Sequence, residues 1–412
     1  MQQQQWNMIH ETEQQLDERF KQIRDLVTTN QNKVLKAFQS QNISDVHFSP
    51  TTGYGYDDLG REKLEALYAE VFNAEDALVR PQIVSGTHAI STALFGLLRP
   101  HDQLLSITGS PYDTLESVIG FKQHVDGSLV DFDIEYDEAP LNSEGAIQYD
   151  EIKKRINDQT KVVAIQRSKG YADRPSFTVS EIKEMIQFVK SVKHDVIVFV
   201  DNCYGEFVET IEPTDVGADI IAGSLIKNPG AGIVRTGGYI VGKQRLIEQC
   251  ANRLTAPGLG KETGATLNSL QEMFQGLFLA PHTVGEALKG SYFTATLLCK
   301  LGFKTTPSPE QDRTDLIQSI TFSTKEEMVQ FAQVIQQQSP INAYVTPQPS
   351  YMPGYDHDVI MAAGTFVQGA SLELTADGPI REPYTLYVQG GLTYEHVKIA
   401  IVEALTSLNV SV

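Results

Sequence analysis

Apolar residues recur at helical spacing through residues 11–40 (Leu16, Phe20, Ile23, Val27, Val34, Phe38) against a charged, Gln-rich background. That periodicity predicts one or two amphipathic helices. A loop rich in Gly, Pro and Tyr follows, FSPTTGYGYDDLG. Next comes REKLEALYAEVF, where Leu64, Leu67, Tyr68, Val71 and Phe72 share one side of a helix and Glu65 and Glu70 are placed on its surface. The texture then alternates. Strand-like runs (QIVSG, DQLLSIT, SLVDFDI, KVVAIQ, DVIVFVD, ADIIAGS, GGYIVG) are separated by helical ones such as ISTALFGLL, DTLESVIG, YDEIKKRI and SEIKEMIQFVKSVK. Such alternation predicts an α/β fold with a mainly parallel, helix-covered sheet.

Near residue 285 the pattern changes. A long helix, EALKGSYFTATLLCKLG, leads into strand candidates LIQSITF, INAYV, DVIMAAGTFV, SLELTA and TLYVQGG. The helix KEEMVQFAQVIQQQ interrupts them, and TYEHVKIAIVEALTSL closes the chain. The expected organisation is an N-terminal helical segment (1–50), a large domain (51–285) and a smaller C-terminal α+β domain (286–412).

The 412 residues are 41% hydrophobic and 21% charged, an ordinary globular composition. The formal net charge of −19 argues against nonspecific binding to nucleic acid or to an anionic membrane. Cys203, Cys250 and Cys299 form no disulfide framework and no zinc spacing, and the nine histidines show no metal pattern. The polar start carries no signal-peptide core, and no apolar run approaches the roughly 20 residues that span a bilayer. These features predict a soluble cytoplasmic protein.

Four short stretches carry candidate chemistry. VFVDNCYGEF is an apolar strand ending in Asp201, a carboxylate that either faces a ligand or caps a turn. In IVSGTHAIS, a strand passes through small residues into a helix, so that Gly86, the Thr87 hydroxyl and the helix amides can cradle an anion. SITGSPYDTLESVIG repeats that geometry and places Tyr112 at the same sheet edge, as a stacking ring or a packed turn residue. GSLIKNPGAG sets Lys227 among small and apolar residues behind Ser224, where desolvation is expected to lower its pKa and favour the neutral amine. Taken together, these are the parts of a pyridoxal 5′-phosphate (PLP) enzyme of the aspartate-aminotransferase fold: an imine-forming lysine, a carboxylate for the ring nitrogen, and amide and hydroxyl donors for the phosphate. GAGIVRTGG fails as a dinucleotide loop, because Arg235 and Thr236 stand where its last glycine belongs. Cys203 has no basic sequence neighbour and reads as a small core-facing residue.

The strings SGTHAI, VDNCYGEF, GSLIKNPGAGI and REPYTLYVQGGLTYEH resemble the Cys/Met-metabolism family of PLP enzymes, which includes cystathionine lyases and methionine γ-lyase. They most resemble its methionine γ-lyase-like, "aluminium resistance" branch, over essentially the whole chain. The resemblance implies PLP fold type I, with Lys227 as the Schiff-base lysine and Asp201 as partner of the pyridine nitrogen. It further implies that Tyr112 stacks on the ring and that Gly86, Thr87 and Ser224 hold the phosphate. Ile226 stands where the better-known lyases carry Thr before the lysine. Tyr54 or Tyr56 takes the part of a tyrosine that serves a neighbouring subunit's phosphate, and Arg61 falls out of register for the arginine beside it. Arg381 is the candidate for a substrate α-carboxylate, unless it is an exposed arginine in a Pro-flanked loop. Arg167 is expected to face the same crevice, and His88 is either a ring neighbour or a helix-start residue. The expected activity is elimination of a thiol from the Cβ–S or Cγ–S bond of a sulfur amino acid of cystathionine, cysteine or methionine type. The alternatives are γ-replacement, transamination, aldol cleavage, or a stress-response protein of this fold without turnover. The resemblance also implies a homodimer or homotetramer.

Overall fold

The molecule is described from a computed structural model covering residues 3–172, 174–352 and 355–408. Its larger sheet has seven strands. In chain order these are β1 (Asp76–Arg80), β2 (Gln103–Ser106), β3 (Glu135–Glu138), β4 (Thr160–Gln166), β5 (Ile197–Asp201), β6 (Ile220–Ser224) and β7 (Gly238–Gly242). They lie in the spatial order β1-β7-β6-β5-β4-β2-β3. Only β7 runs antiparallel to its neighbours, β1 and β6. Every residue of β5, β6 and β7 is buried, as near-continuous apolar runs require when helices cover both faces of a sheet.

The covering helices are α2 (Leu59–Val71), α3 (Gly86–Leu97), α4 (Asp113–Ile119), α5 (Tyr149–Arg155), α6 (Val179–Val192) and α7 (Gln244–Leu254), all after the N-terminal α1 (Gln3–Ser40). Local chemistry sets their starts. Thr178 and Glu181 form a reciprocal capping box at α6, and Ser85 accepts from the His88 amide to cap α3. The 11–40 periodicity resolves as the single long helix α1. Its Asn30 side chain donates to the carbonyls of Phe207 and Glu209, while Gln5 near its start bonds Glu403 and Thr406 at the other end of the chain.

The smaller sheet is fully antiparallel. Its strands are β8 (Lys304–Thr306), β9 (Ile317–Thr321), β10 (Val359–Ala362), β11 (Thr375–Pro379) and β12 (Thr385–Gln389), in the order β10-β11-β12-β9-β8. α9 (Lys325–Gln337) packs on it, and α10 (Tyr394–Ser407) packs against α9. The long α8 (Leu270–Lys300) runs between the two halves, so the boundary expected at residue 285 falls inside a continuous helix. Close approach of α8 to the turn after Lys227 depends on glycine: a Cβ on Gly276 would sit 2.8 Å from the Gly230 carbonyl oxygen.

Four strand expectations fail, each for a local reason. QIVSG is the turn that delivers the chain into α3. The strand is DALVR just before it, obscured in the sequence by the charges of Asp76 and Arg80. In SLVDFDI, Asp133 adopts a left-handed backbone (φ 57°) and Asp131 accepts from the Gly127 amide, so the segment turns and β3 begins after it. INAYV is a loop, with Asn342 at φ 54° and Tyr344 in solvent. Of SLELTA only Thr375 and Ala376 enter a strand, because the Glu373 carboxylate turns back onto the amides of Phe366 and Val367. Glu65 is also corrected. It is buried rather than on the surface of α2, 2.7 Å from the equally buried Arg80 guanidinium, and accepts from the Val79 amide. A charged pair hidden at the α2–β1 contact gives no apolar signal.

Candidate active site

Parallel strands end together at one edge of a sheet, and here the loops after β2, β4, β5 and β6 meet the start of α3 and the near face of the smaller sheet. The result is a cavity of about 580 Å³ lined by Gly86, Thr87, Tyr112, Asp201, Ser224, Lys227 and Arg381. Seven residues singled out from the sequence therefore converge on one space.

Lys227 follows β6 and leads into a short turn at Asn228–Gly230. Its Nζ lies 3.7 Å from the centroid of the Tyr204 ring. Tyr204 reaches that position through a left-handed backbone (φ 70°), a conformation costly for a residue with a Cβ. Asn228 holds the turn in place by donating to the Tyr204 and Glu206 carbonyls at 3.0 and 2.9 Å. Burial alone would push the Lys227 amine down. The facing Cys203, Tyr204 and Asp201 outweigh it, and the lysine titrates above its ordinary range. The expectation of a lowered pKa is thus corrected, because acidic partners surround the amine along with apolar protein.

Asp201 ends β5 in register with Gln166 at the end of β4. Burial raises its carboxyl, while Lys227 and the Cys203 amide, which donates to Oδ1 at 3.1 Å, oppose that rise. Tyr112 is held from two sides: its hydroxyl is 3.1 Å from the Thr87 hydroxyl, and its amide donates to the Gln166 side chain at 3.1 Å. Burial, with the Asp201 charge adding to it, raises the Tyr112 hydroxyl, so it stays protonated at neutral pH. The glycine at 86 is needed for space. A Cβ there would come within 3.2 Å of Cys203 Sγ and 3.3 Å of Ser224 Cβ, filling the concavity at the start of α3.

Other expected residues lie elsewhere. Arg167 is fully buried outside the cavity lining, with its guanidinium on Glu209, Glu212, Asn202 and Thr314. It does not face the crevice, because the chain turns its side chain toward this acidic cluster. His88 is a helix-start residue: its Nδ1 accepts from the Val84 amide at 3.1 Å, and burial lowers its pKa. Tyr54 and Tyr56 stack on one another at 5.5 Å on an exposed loop outside this chain's cavity. Arg61 is buried behind that loop, donating to the carbonyls of Gly55, Gly264 and Glu262.

Sequence reasoning missed Gln166, Tyr171, Tyr204, Tyr355 and Asp377; Cys203 is buried, as expected, and also lines the cavity. Tyr204 was within reach, three residues after Asp201 in a string already singled out. Gln166 ends β4 of the larger sheet, and the others come from loops and from the smaller sheet, where no local pattern points at the cavity.

Glu206 lies deeper still. Tyr239 donates to its Oε1 at 2.7 Å, Oε2 has no protein partner, and burial raises its carboxyl to about 8. The unfolded chain releases that proton near 4.5, so stability from this group is complete below that value and is lost as pH rises from there through 8. Urea denaturation between about pH 5 and pH 8 should show this decline, and Glu206→Gln should flatten it. An unchanged slope in the variant would place the titration elsewhere.

The donor set fits PLP: an amine, a strand-end carboxylate, a ring held by Thr87, and a concavity of amides and hydroxyls that one methyl group would fill. Among the described residues no cluster could hold a metal ion, and no helix is long and apolar enough to cross a membrane. The family model for methionine gamma-lyase matches residues 5–409. The uncharacterized protein YnbB of Bacillus subtilis is 62% identical over 389 residues, covering 94% of this chain and 92% of that one. A solved Listeria monocytogenes protein, described as a "putative cystathionine beta-lyase involved in aluminum resistance", superposes at a TM-score of 0.96 with 60% identity, covering 98% of this chain and 99% of its own. The PLP-dependent protein YhfS of Escherichia coli shares the fold alone, at a TM-score of 0.62 and 15% identity over 93% of this chain and 97% of that one. The architecture is that of PLP fold type I, and by the extent of the family match the chain belongs to the methionine gamma-lyase family.

Proposed function

We propose that the protein is a PLP-dependent carbon–sulfur lyase that eliminates a thiol from the Cβ–S or Cγ–S bond of a sulfur amino acid. The observation that carries this reading is the meeting of Lys227, Asp201, Tyr112 and the Gly86–Thr87–Ser224 concavity at one sheet edge, in a chain of this family. Gly86, Thr87 and Ser224 would hold the phosphate, Tyr112 would lie against the ring, and Asp201 would face its nitrogen. Bound PLP supplies an electron sink for the carbanion left when the α-proton departs.

The chain's own residues do the rest. Arg381, at the cavity rim, orients the α-carboxylate. The Lys227 amine takes the α-proton once it is free. The acidic groups around it favour the protonated product of that transfer, so the proton stays at hand for the departing sulfur. Tyr112, kept as a neutral phenol, is the second donor within the cavity.

The test is a panel of cystathionine, cysteine, methionine and homocysteine with the PLP-loaded protein, measuring thiol, ammonia and 2-oxo acid. Elimination gives a 2-oxo acid and ammonia in equal amounts, with one thiol for each. Amino transfer to an added acceptor without thiol release would refute the lyase reading.

A further inference from the structure

A smaller cavity, of about 130 Å³, opens beside the main one and shares Lys169, Tyr171, Tyr387 and Arg381 with it. Its floor is one face of the smaller sheet. β8, β9 and β12 place Lys304, Thr321 and Thr385 in one cross-strand row, and Thr306, Ser319 and Tyr387 in the next. Residues two apart on a strand share a face, so both rows meet this annex. Ile320 and Leu386, between the rows, are buried on the other side.

Three cations converge on the annex. Lys169, 4% exposed, donates to the Thr306 carbonyl at 3.2 Å and to the Ser319 hydroxyl at 2.9 Å, which fixes its ammonium at the wall. Lys304 and Arg381 are exposed, and among the described residues neither forms an ion pair. Among those residues no carboxylate lines the annex, although the chain carries 52 acidic residues against 33 basic ones. Asp377, two residues before Pro379 on β11, lines the main cavity instead. The Thr321 and Thr385 hydroxyls lie 3.3 Å apart, so whichever donates to the other, the second keeps its proton for a ligand. Converging charge, a hydroxyl donor and room for about four waters at ~30 Å³ each suit one doubly charged tetrahedral oxyanion.

We infer that the annex binds a free tetrahedral oxyanion, inorganic phosphate or sulfate, and that the bound ion draws Arg381 away from the main cavity. Arg381 lines both spaces, and on the cavity side its charge already acts on the Asp113 carboxyl, so the two sites compete for one guanidinium. Oxyanion binding stands apart from the reaction, whereas the competition rests on the lyase reading, which places a substrate α-carboxylate at Arg381.

Calorimetry on the PLP-loaded protein reads the site directly, with phosphate or sulfate titrated against chloride at constant ionic strength. The wild type should bind one ion per chain with a Kd of about 1 mM or below. Lys304→Glu should weaken binding at least about tenfold, and Thr385→Val should weaken it severalfold. Lys183→Gln, at an exposed lysine of α6 outside both cavities, should leave it unchanged. No saturable binding in the wild type, or equal losses in Lys183→Gln and Lys304→Glu, overturns the annex. Urea midpoints at the wild-type value mark the variants as folded. Phenyl phosphate should bind more weakly than inorganic phosphate. Tighter binding would make the oxyanion one end of a ligand that spans both cavities, and overturns the free-ion assignment. In turnover, phosphate should raise KM without changing kcat, and Lys304→Glu should remove that effect. Bound phosphate that leaves KM unmoved overturns the competition at Arg381. Phosphate binding without thiol release from any sulfur amino acid overturns the lyase reading and leaves the annex standing. Thiol release without phosphate binding does the reverse.

Discussion

Lys227→Ala should yield a folded protein that no longer attaches PLP covalently. In the wild type, borohydride reduction should trap a phosphopyridoxyl adduct on the peptide containing Lys227, and in the variant that mass should be absent. Turnover should fall by about 10²–10⁴-fold from loss of proton transfer alone, with loss of the covalent tether adding to it. Folding should survive, because the side chain meets the cavity and its nearest partner is the face of the Tyr204 ring rather than a salt-bridged acid. The Lys227 charge opposes the rise that burial causes in the Asp201 carboxyl, so its removal should raise Asp201 further. An adduct on a different lysine, or turnover within tenfold of the wild type, would remove Lys227 from its assigned place.

The parts of this site carried by local chemistry were legible in the sequence. Asp201 ends an apolar run and Gly86 precedes a helix. Lys227 breaks a stretch of small residues. At Asp201 and Lys227 a polar residue stands at or just after a strand ending, and parallel topology brings such endings to one edge, while Gly86 is legible as a helix start. Groups whose role depends on what lies opposite were not legible. Asp377 sits in a strand of alternating character, and only the packing of the smaller sheet against the larger turns it toward the cavity. Arg167 shows the opposite error. It follows β4 at the expected edge, but its side chain is claimed by Glu209 and Glu212 from the segment after β5. Sequence position fixed the strand end without fixing the direction of the side chain. The fold shows the same division: the apolar strands were found, while β1 was hidden by Arg80, whose charge is answered by a glutamate fifteen residues upstream.

Arg167→Met should cost stability rather than cofactor binding. The guanidinium donates to Glu209 at 2.9 Å, to Asn202 at 2.8 Å and to Thr314 at 3.2 Å, and it lies 3.5 Å from Glu212, which is itself fully buried. Thr314 belongs to the segment leading into the smaller sheet, so one side chain ties the loop after β5 to that sheet's approach. Methionine fills similar volume but leaves Glu212 without its cation, and breaking a buried pair from one side costs about 3–5 kcal/mol. Burial already raises the Glu212 carboxyl and Arg167 opposes that rise, so in the variant the carboxyl should rise further. A folded carboxyl raised above its unfolded value loses stability as pH increases, so the loss should grow above the ordinary glutamate range. Glu212→Gln in the same background should recover part of the loss, because it removes the stranded charge while keeping an acceptor for the Phe207 amide at 2.9 Å. The folded variant should take up PLP as the wild type does, since Arg167 does not line the cavity. Unchanged urea midpoints together with weakened PLP uptake would return Arg167 to the cofactor and refute the structural role assigned to it.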